Sequence, residues 1–197
     1  DRDTDVQLAQ NMGITGIKYN RESNCWKDIL KQLENPPRVA HIERNTNETK
    51  ISIDVDLDHS GNNEISTGLP FFDHMLDQIA THSGISLKIK AIGDLHIDEH
   101  HTVEDIGICL GLAFKEALGD KKGIVRYGST ILPMDEALIL TAVDISGRSM
   151  LVKEINIPAT KVGDFDTELV EEFLQALVRN LNCTLHVNQM AGSNAHH

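Results

Sequence analysis

The sequence predicts an α+β fold of two pseudo-repeated β-β-α-β-α units, with helices packed on sheets and with the second unit lacking its last helix. Three observations lead to this fold. Between residues 38 and 197, segments with strand-like alternation and segments with helical spacing follow one another. The same order of patterns recurs 98 residues later, so that Leu87 falls on Leu185. The chain then reaches residue 197 before a second copy of the longest predicted helix.

The first 37 residues are predicted to form a separate segment. Residues 6–18 are expected to run as a short helix and then a short strand, and a second amphipathic helix is expected through Leu33. Neither piece could bury a core of its own. Residues 35–37, Asn-Pro-Pro, interrupt any helix because proline lacks an amide hydrogen and restricts the residue before it. We therefore place a domain boundary after residue 37.

The first repeat supplies two strands, a helix, a further strand and a long helix. VAHIERN at 39–45 gives the first strand, and residues 51–57 alternate apolar and polar side chains as a half-buried strand does. The segment FFDHMLDQIATHSG has apolar side chains at helical spacing and stops at Gly84. Alternation returns in ISLKIKAI, and steps of three and four residues then mark a longer amphipathic helix that ends at Gly119.

The second repeat is placed by the same offset. It puts MLVKEIN at 149–155 on the strand at 51–57, and it makes ALILTAVDI at 137–145 the first strand of the second unit. The helix around Phe72 falls on Val170. Because both halves share this order, the architecture is better supported than any single element.

Composition limits the classes of function. Lys and Arg total 18 against 30 Asp and Glu, and the resulting net charge of −12 disfavours a nucleic-acid partner because it repels phosphate. No stretch approaches the roughly 20 apolar residues of a membrane-spanning helix, and residues 1–20 do not resemble a signal peptide. The three cysteines are odd in number and far apart, which favours reduced thiols. We therefore expect a cytoplasmic protein without a nucleic-acid or membrane partner.

Histidine is unusually frequent, with ten residues in 197. His100 and Glu104 are four apart, so they share a helix face and could hold one cation between an imidazole and a carboxylate. His101 points about 100° around the helix, which leaves open two metal ions or one metal ion plus a substrate contact. A second pair, His196 and His197, recurs within two residues of the equivalent point of the repeat. Such mixed nitrogen and oxygen donors suit Mn²⁺, Fe²⁺, Zn²⁺ or Ni²⁺, and spacing does not choose among them.

Five motifs occur in the order in which one enzyme family carries them: TGLPFFDHMLDQIATHSG, GDLHIDEHHTVEDIGICLG, GDKKGIVRYG, LPMDEAL and VDISGR. Over most of its length the sequence closely resembles imidazoleglycerol-phosphate dehydratases. The segment DRDTDVQLAQNMGITGIKY resembles the last part of a haloacid-dehalogenase-type histidinol-phosphatase domain, which some bacteria fuse ahead of the dehydratase. The resemblance implies a phosphatase remnant plus linker at 1–37 and a C-terminally truncated dehydratase domain at 38–197. Because the phosphatase's nucleophile-bearing segment is absent, Asp1 and Asp5 are expected to be inert.

The resemblance implies two Mn²⁺ ions per active site, at contacts between subunits of an octahedral homo-oligomer. The implied ligands from both repeats are His74, His100, His101, Glu104, Glu172, His196 and His197. Glu172 stands where the family usually has a histidine, and it also lies 98 residues after His74. The family's next ligand glutamate and a phosphate-binding lysine would follow residue 197.

The implied reaction is loss of water from imidazole glycerol phosphate, which gives imidazole acetol phosphate in histidine biosynthesis. The proton to be removed lies beside an imidazole and not beside a carbonyl, so two metal ions that hold the ring as imidazolate would supply the electron sink. Glu48 matches the family's catalytic glutamate and is expected to act as acid/base. The residues expected to bind the phosphorylated imidazole substrate are Gln78, His82, Arg126, Met134 and Arg148.

Two other hypotheses remain open from the residues alone. The chain could be a catalytically impaired fragment that binds metal, because its second repeat is predicted to be incomplete and because Glu172 departs from the family pattern. A metal-dependent hydrolase uses similar ligand types, but no nucleophile or Asp-x-Asp pair accompanies the histidine cluster. Formation of imidazole acetol phosphate, or release of phosphate from phosphomonoesters, would separate these hypotheses.

Overall fold

The structure is a computed structural model that describes residues 3–14, 16–34 and 36–197. It divides into two compact units, Asp1–Pro37 and Arg38–His197. Three residues that enter the predictions above lie outside the described part of the chain: Asp1, Thr15 and Asn35. No helix within the described ranges has both the length and the apolar character that a membrane crossing requires.

The small unit contains two short helices, α1 (Asp3–Asn11) and α2 (Trp26–Glu34). In the described residues between them, the predicted strand is not formed, and an isolated bridge joins Asn20 to Asn24. Ile29 is buried in α2, whereas Leu30 and Leu33 of the same helix are exposed. The amphipathic pattern of α2 is therefore only partly used within this unit.

The large unit alternates strands and helices along its whole length. Its elements in chain order are β1 (Val39–Asn45), β2 (Thr49–Asp56), β3 (Glu64–Ser66), α3 (Pro70–Ser83), β4 (Ser86–Gly93), α4 (His100–Leu118), β5 (Tyr127–Met134), β6 (Ala137–Asp144), β7 (Met150–Glu154), β8 (Lys161–Val162), β9 (Phe165–Asp166), α5 (Leu169–Leu181) and β10 (Thr184–Ala191). The strands form two four-stranded sheets, ordered β1-β2-β4-β3 and β5-β6-β10-β7, and a separate β8-β9 hairpin.

The two sheets have the same topology, which confirms both the α+β class and the pseudo-repeat. In each sheet the last pair of strands, β4 with β3 and β10 with β7, is parallel, and the other pairs are antiparallel. The first unit contains one strand before its first helix that was not predicted, β3, and the second unit contains β5 and the β8-β9 hairpin in addition to its two predicted strands. Within the described chain, α4 follows β4, whereas no helix follows β10.

The repeat offset differs between the front and the back of each unit, and this corrects part of the sequence alignment. β4 and β10 begin 98 residues apart, as predicted, but β2 and β6 begin only 88 apart, at residues 49 and 137. Most of the difference is taken up by the β8-β9 hairpin, which is inserted between β7 and α5. The segment 149–155 therefore forms an edge strand and not the counterpart of β2, and ALILTAVDI is the second strand of its unit.

The core lies mainly in the first half of the large unit. On α4, Val103, Ile106 and Leu110 are fully buried. They belong to the same cluster as the inward side chains of β2 and β4, including Ile53 and Leu87. Apolar steps of three and four along the helix and alternation along the strands produce these two matching faces.

None of the three cysteines forms a disulfide. Cys109 and Cys183 are buried, and burial raises the pKa of the Cys109 thiol to about 11. These two thiols therefore pack as small apolar side chains.

Candidate metal and substrate site

The first histidine pair stands at the beginning of α4, just beyond the end of β4. His100 Nε2 lies 3.8 Å from Glu104 Oε2, and both side chains are about half exposed. The pairing that was predicted from their four-residue spacing is thus present. Asp98 accepts a hydrogen bond from the backbone amide of His100 at 2.9 Å and helps to begin the helix.

The second histidine of this pair, His101, contacts a different carboxylate, that of Asp94. Its Nδ1 lies 3.0 Å from Asp94 Oδ2. The hydrogen bond to Asp94 raises the pKa of His101 above its ordinary value, and the negative charges of Asp98 and Glu48 add to the effect. Glu48 lies in the turn between β1 and β2, exposed, with its amide donating to Thr46 Oγ1 at 3.1 Å. The proposed catalytic glutamate therefore acts electrostatically on one of the proposed ligands.

The second histidine pair follows β10. His197 Nδ1 lies 2.8 Å from Glu136 Oε2, in the turn between β5 and β6. Glu136 also accepts backbone amides from Asn194 at 2.8 Å and Ser193 at 3.4 Å. The hydrogen bond from His197, with help from these amides, lowers the pKa of Glu136 to about 2, so it is ionised at neutral pH. The ring of His196 lies 5.7 Å from that of Phe71.

The remaining predicted ligands and one substrate pair lie on the helices. His74 is exposed on α3 and Glu172 is half-buried in the first turn of α5. Gln78 and His82, one turn apart on α3, are joined by a 3.0 Å hydrogen bond. Across the described residues, no three His, Cys, Asp or Glu side chains converge on a point where a metal ion could be held.

Of the two candidate phosphate-binding arginines, Arg126 is hydrogen-bonded to Asp144, and Arg148 acts on that carboxylate through its charge. Arg126 donates from Nε and Nη2 to Asp144 at 2.6 and 3.0 Å, and its guanidinium carbon lies 4.9 Å from the centre of the Tyr127 ring. This fork holds the pKa of Asp144 below its usual value, and the charge of Arg148 contributes. Met134, the last residue of β5, is half-exposed next to the turn that holds Glu136.

An apolar cavity of about 300 Å³ lies between α3, α5, the second sheet and the residues after β10. His196 and His197 are among the residues that line it. Its apolar lining includes Phe71, Met75, Ile139 and Phe173. The second histidine pair therefore has an apolar side.

Sequence reasoning missed the carboxylate that anchors His101. Asp105, one residue after Glu104, instead accepts hydrogen bonds from Thr49 and Arg44. Asp94 contacts His101, and Glu136 of the motif LPMDEAL contacts His197. A usable signal was the position of Asp94 immediately after a strand whose end faces the start of α4.

The donor set fits a divalent cation of intermediate softness. Two imidazoles have Nδ1 tied to a carboxylate, which leaves Nε2 to bind a metal ion, and carboxylate oxygens stand beside them with no thiolate. Manganese is one of the ions that such a set accepts. Because these donors lie in pairs within the described residues, further donors are needed to complete a coordination shell.

The chain is similar to known proteins over nearly all of its length. A family model described as "Imidazoleglycerol-phosphate dehydratase" matches residues 67–197. The chain is 59% identical over 160 residues to the imidazoleglycerol-phosphate dehydratase of Moorella thermoacetica, covering 81% of this chain and 82% of that protein. It is 48% identical over 198 residues to the histidine biosynthesis bifunctional protein HisB of Blochmanniella floridana, and it spans 55% of that protein's length.

Solved structures of imidazoleglycerol-phosphate dehydratases are also similar to this chain. The crystal structure of the imidazoleglycerol-phosphate dehydratase from Staphylococcus aureus matches with a TM-score of 0.73 and 42% identity, covering 80% of this chain and 87% of that one. The Pyrococcus furiosus enzyme in complex with (S)-C348 matches with a TM-score of 0.69 and 38% identity, covering 79% of this chain and 83% of that one. The likeness therefore extends to the fold of the large unit.

Proposed function

The chain belongs to the imidazoleglycerol-phosphate dehydratase family, and from this premise we propose that it converts imidazole glycerol phosphate to imidazole acetol phosphate in histidine biosynthesis. One structural observation carries the proposal. Each repeat places a pair of histidines just beyond the strand that follows its first helix, β4 or β10, and in each pair one imidazole is anchored through Nδ1 by a carboxylate. Duplicated, oriented imidazoles suit a reaction that needs two cations around one substrate ring.

We assign the metal ligands to His74, His100, His101, Glu104, Glu172, His196 and His197. Two Mn²⁺ ions bound there would stabilise the substrate imidazole as its anion and so provide an electron sink beside the carbon that loses a proton. We further propose that the sites are completed between subunits of a homo-oligomer. The proposal is supported by the pairwise grouping of the donors within the described residues.

Glu48 is proposed to move the proton. Its carboxylate is exposed to solvent in a short turn and acts electrostatically on His101. A glutamate placed so is a suitable general acid/base, an effect that contributes about 10²–10⁴-fold to rate. The chemistry requires it both to accept the carbon-bound proton and to assist departure of the hydroxyl group.

The substrate phosphate is proposed to bind at Arg126 and Arg148, with Gln78. A planar guanidinium matches two phosphate oxygens, and Asp144 already fixes the orientation of Arg126 through two hydrogen bonds. His82 and Met134 complete the proposed contacts with the substrate. The substrate is thus expected to be a small phosphorylated imidazole.

A direct assay tests the proposal. The purified chain is incubated with Mn²⁺ and imidazole glycerol phosphate, and imidazole acetol phosphate is quantified over time. We expect turnover by the unmodified chain and about 10²–10⁴-fold less in Glu48→Gln, with Mn²⁺ binding retained. Glu43→Gln, an exposed carboxylate on the neighbouring strand β1, is the matched control and should keep full activity. Full activity in Glu48→Gln would remove Glu48 from the acid/base role.

A second candidate is a metal-binding chain without catalysis. It is favoured by Glu172, which stands half-buried where a histidine was expected from the family pattern. Calorimetry with Mn²⁺, run beside the assay, separates the two candidates. Bound Mn²⁺ with no product in an assembled sample would support the second candidate and contradict the first.

A further inference from the structure

The same ring atom is held in both repeats, but by carboxylates from different places. His101 Nδ1 lies 3.0 Å from Asp94, which directly follows β4. His197 Nδ1 lies 2.8 Å from Glu136, in the turn between β5 and β6. A simple duplication would have kept equivalent residues in this role. The use of a different carboxylate in each repeat therefore needs a physical reason.

The repeat offsets identify the counterparts of these two carboxylates. β1 and β5 begin 88 residues apart, at 39 and 127, and the same offset makes Glu136 the counterpart of Glu48. β4 and β10 begin 98 residues apart, but the extra residue of the β10 bulge lengthens the offset to 99 at their ends, where Ile92 pairs with Lys50 and Ala191 pairs with Leu138. Gly192 is therefore the counterpart of Gly93, and Ser193 is the counterpart of Asp94. Equivalent positions of the two repeats therefore both carry a glutamate. Glu48 is the proposed acid/base in the first repeat, whereas Glu136 contacts His197 in the second.

Gly192 cannot be replaced by a residue with a side chain without strain. Its φ is +123°, a conformation that L-residues rarely adopt. A Cβ atom there would lie 2.8 Å from the Cα of Ala137 and 2.9 Å from its Cβ. The pairing register of β10 shifts between Gln189 and Ala191, and this irregularity precedes the glycine directly. Both repeats therefore have a glycine at this point, and the residue after it in the second repeat is Ser193, which carries no carboxylate.

In the first repeat the equivalent glycine, Gly93, is followed by a carboxylate, Asp94. A Cβ atom at Gly93 would lie 1.8 Å from Thr102 Oγ1. Because glycine has no Cβ atom, the end of β4 can approach the start of α4. Asp94 is largely buried, with a side-chain exposure of 11%. The Oδ1 atom of Asp94 is buried and has no partner among the described residues. The contact of Oδ2 with His101 is therefore the side-chain hydrogen bond that this carboxylate makes there.

We propose that Asp94 and Glu136 are positioning residues with one shared task, which is to fix the Nδ1–H tautomer of His101 and His197. A neutral imidazole carries one N–H, and donation from Nδ1 to a carboxylate leaves the Nε2 lone pair available to a metal ion. Because Asp94 anchors His101, Glu48 accepts no side-chain hydrogen bond within the described residues and is available to the substrate. Glu136 is committed to His197 and does not act as a second acid/base. This inference rests on the proposed function for the role of the metal.

The tautomers can be measured in the metal-free protein. Long-range ¹H–¹⁵N correlation spectra of ¹⁵N-histidine-labelled protein, recorded at a pH at which the rings are neutral, distinguish Nδ1–H from Nε2–H. We expect Nδ1–H for both histidines, a changed pattern for His101 in Asp94→Asn, and a changed pattern for His197 in Glu136→Gln. Calorimetric titration should show about 10–100-fold weaker binding of Mn²⁺ for each variant.

Asp54→Asn is the matched control. Asp54 on β2 holds Nδ1 of His41 on β1 at 2.7 Å, and both side chains are exposed and lie outside the site. This variant therefore breaks the same kind of contact and should leave Mn²⁺ affinity unchanged. Glu136 is exposed, so Glu136→Gln tests the inference even where Asp94→Asn does not fold.

Two results would overturn the inference: Nε2–H tautomers in the unmodified protein, or variants that bind Mn²⁺ as tightly as it does. If the unmodified protein binds no Mn²⁺, the proposed metal chemistry fails, and the tautomer spectra alone decide the role of Asp94 and Glu136.

Discussion

A single buried carboxylate connects the main helix of the large unit to its first sheet. Asp105 lies on α4 with 8% exposure. Its Oδ2 accepts a hydrogen bond from Thr49 Oγ1 at 2.5 Å, and its Oδ1 accepts one from Arg44 Nε at 2.9 Å. Thr49 belongs to β2 and Arg44 to β1, so one side chain joins three elements. Charge-assisted contacts of this kind are strong, and an interrupted one leaves buried groups without partners.

We expect Asp105→Asn to lower the free energy of unfolding by about 1–3 kcal/mol, because the amide cannot pair with Arg44 as a carboxylate does. Urea unfolding followed by circular dichroism measures the change. Asp120→Asn removes an exposed carboxylate beyond the end of α4 and serves as the control with an unchanged midpoint. Equal midpoints for both variants would show that Asp105 does not stabilise the junction.

The exposed pair of His41 and Asp54 gives a prediction about pH. The hydrogen bond and negative charge of Asp54 raise the pKa of His41 above 6.5, with a further contribution from Glu43. A raised pKa in the folded state means that the pair stabilises the protein fully below about 6.5, and that this stabilisation is lost as the pH rises through the folded pKa. NMR titration should place the His41 midpoint lower in Asp54→Asn. A midpoint that does not move would refute this cause.

At the scale of elements, α4 packs closely and extensively against α5. Gly107 and Gly111, four residues apart, present no side chain to α5. A Cβ at Gly107 would lie 2.8 Å from the carbonyl oxygen of Phe173, and one at Gly111 would lie 2.6 Å from that of Leu177. The two backbones approach because glycine is present on one of them.

Gly111→Ala should therefore destabilise the protein although alanine is the better helix former. The gain in helix propensity is about 1 kcal/mol, whereas a methyl group forced against the backbone of α5 costs about 1–3 kcal/mol or separates the helices. We expect a lower thermal midpoint, measured by calorimetry. Glu116→Ala, at an exposed position of the same helix, is the control and should change the midpoint little. A raised midpoint in Gly111→Ala would mean that the helices separate easily.

The elements that could be predicted from the sequence are those whose two faces differ. β2 and β4 bury alternate residues, and α3 and α4 end at Gly84 and Gly119 as their patterns indicated. β5 was missed because all eight of its residues are exposed, so no alternation marks it. β3 has only three residues. Without β5, the second unit was aligned from its second strand, and this produced the wrong offset for its front half.

The site was predictable where it depended on local spacing. His100 and Glu104 meet because they lie one helical turn apart. The contact between Glu136 and His197 joins residues separated by 61 positions, and it depends on how the β5-β6 turn meets the chain after β10. Sequence periodicity carries no information about such an approach, so the anchors became visible only in three dimensions.

At the scale of the whole molecule, the two repeats share a topology but differ in how well their sheets are covered. In the first sheet, Ile53, Leu87 and Ile89 are at most 1% exposed, because α4 covers them. In the second sheet, every residue of β5 is exposed and β6 has a single buried residue, Ala137. Local stability follows buried apolar contact, so the two halves should open with different free energies.

Hydrogen exchange measured by mass spectrometry tests this difference. At a concentration where sedimentation gives the mass of a single chain, we expect peptides from β2 and β4 to exchange at least about tenfold more slowly than peptides from β5 and β6, since opening the second sheet exposes little that is buried. Leu87→Ala removes a fully buried side chain and should speed exchange in the first sheet, whereas Leu132→Ala, on exposed β5, should not. Equal protection of both sheets in single chains would contradict the prediction, because it would mean that the two repeats open together as one cooperative unit.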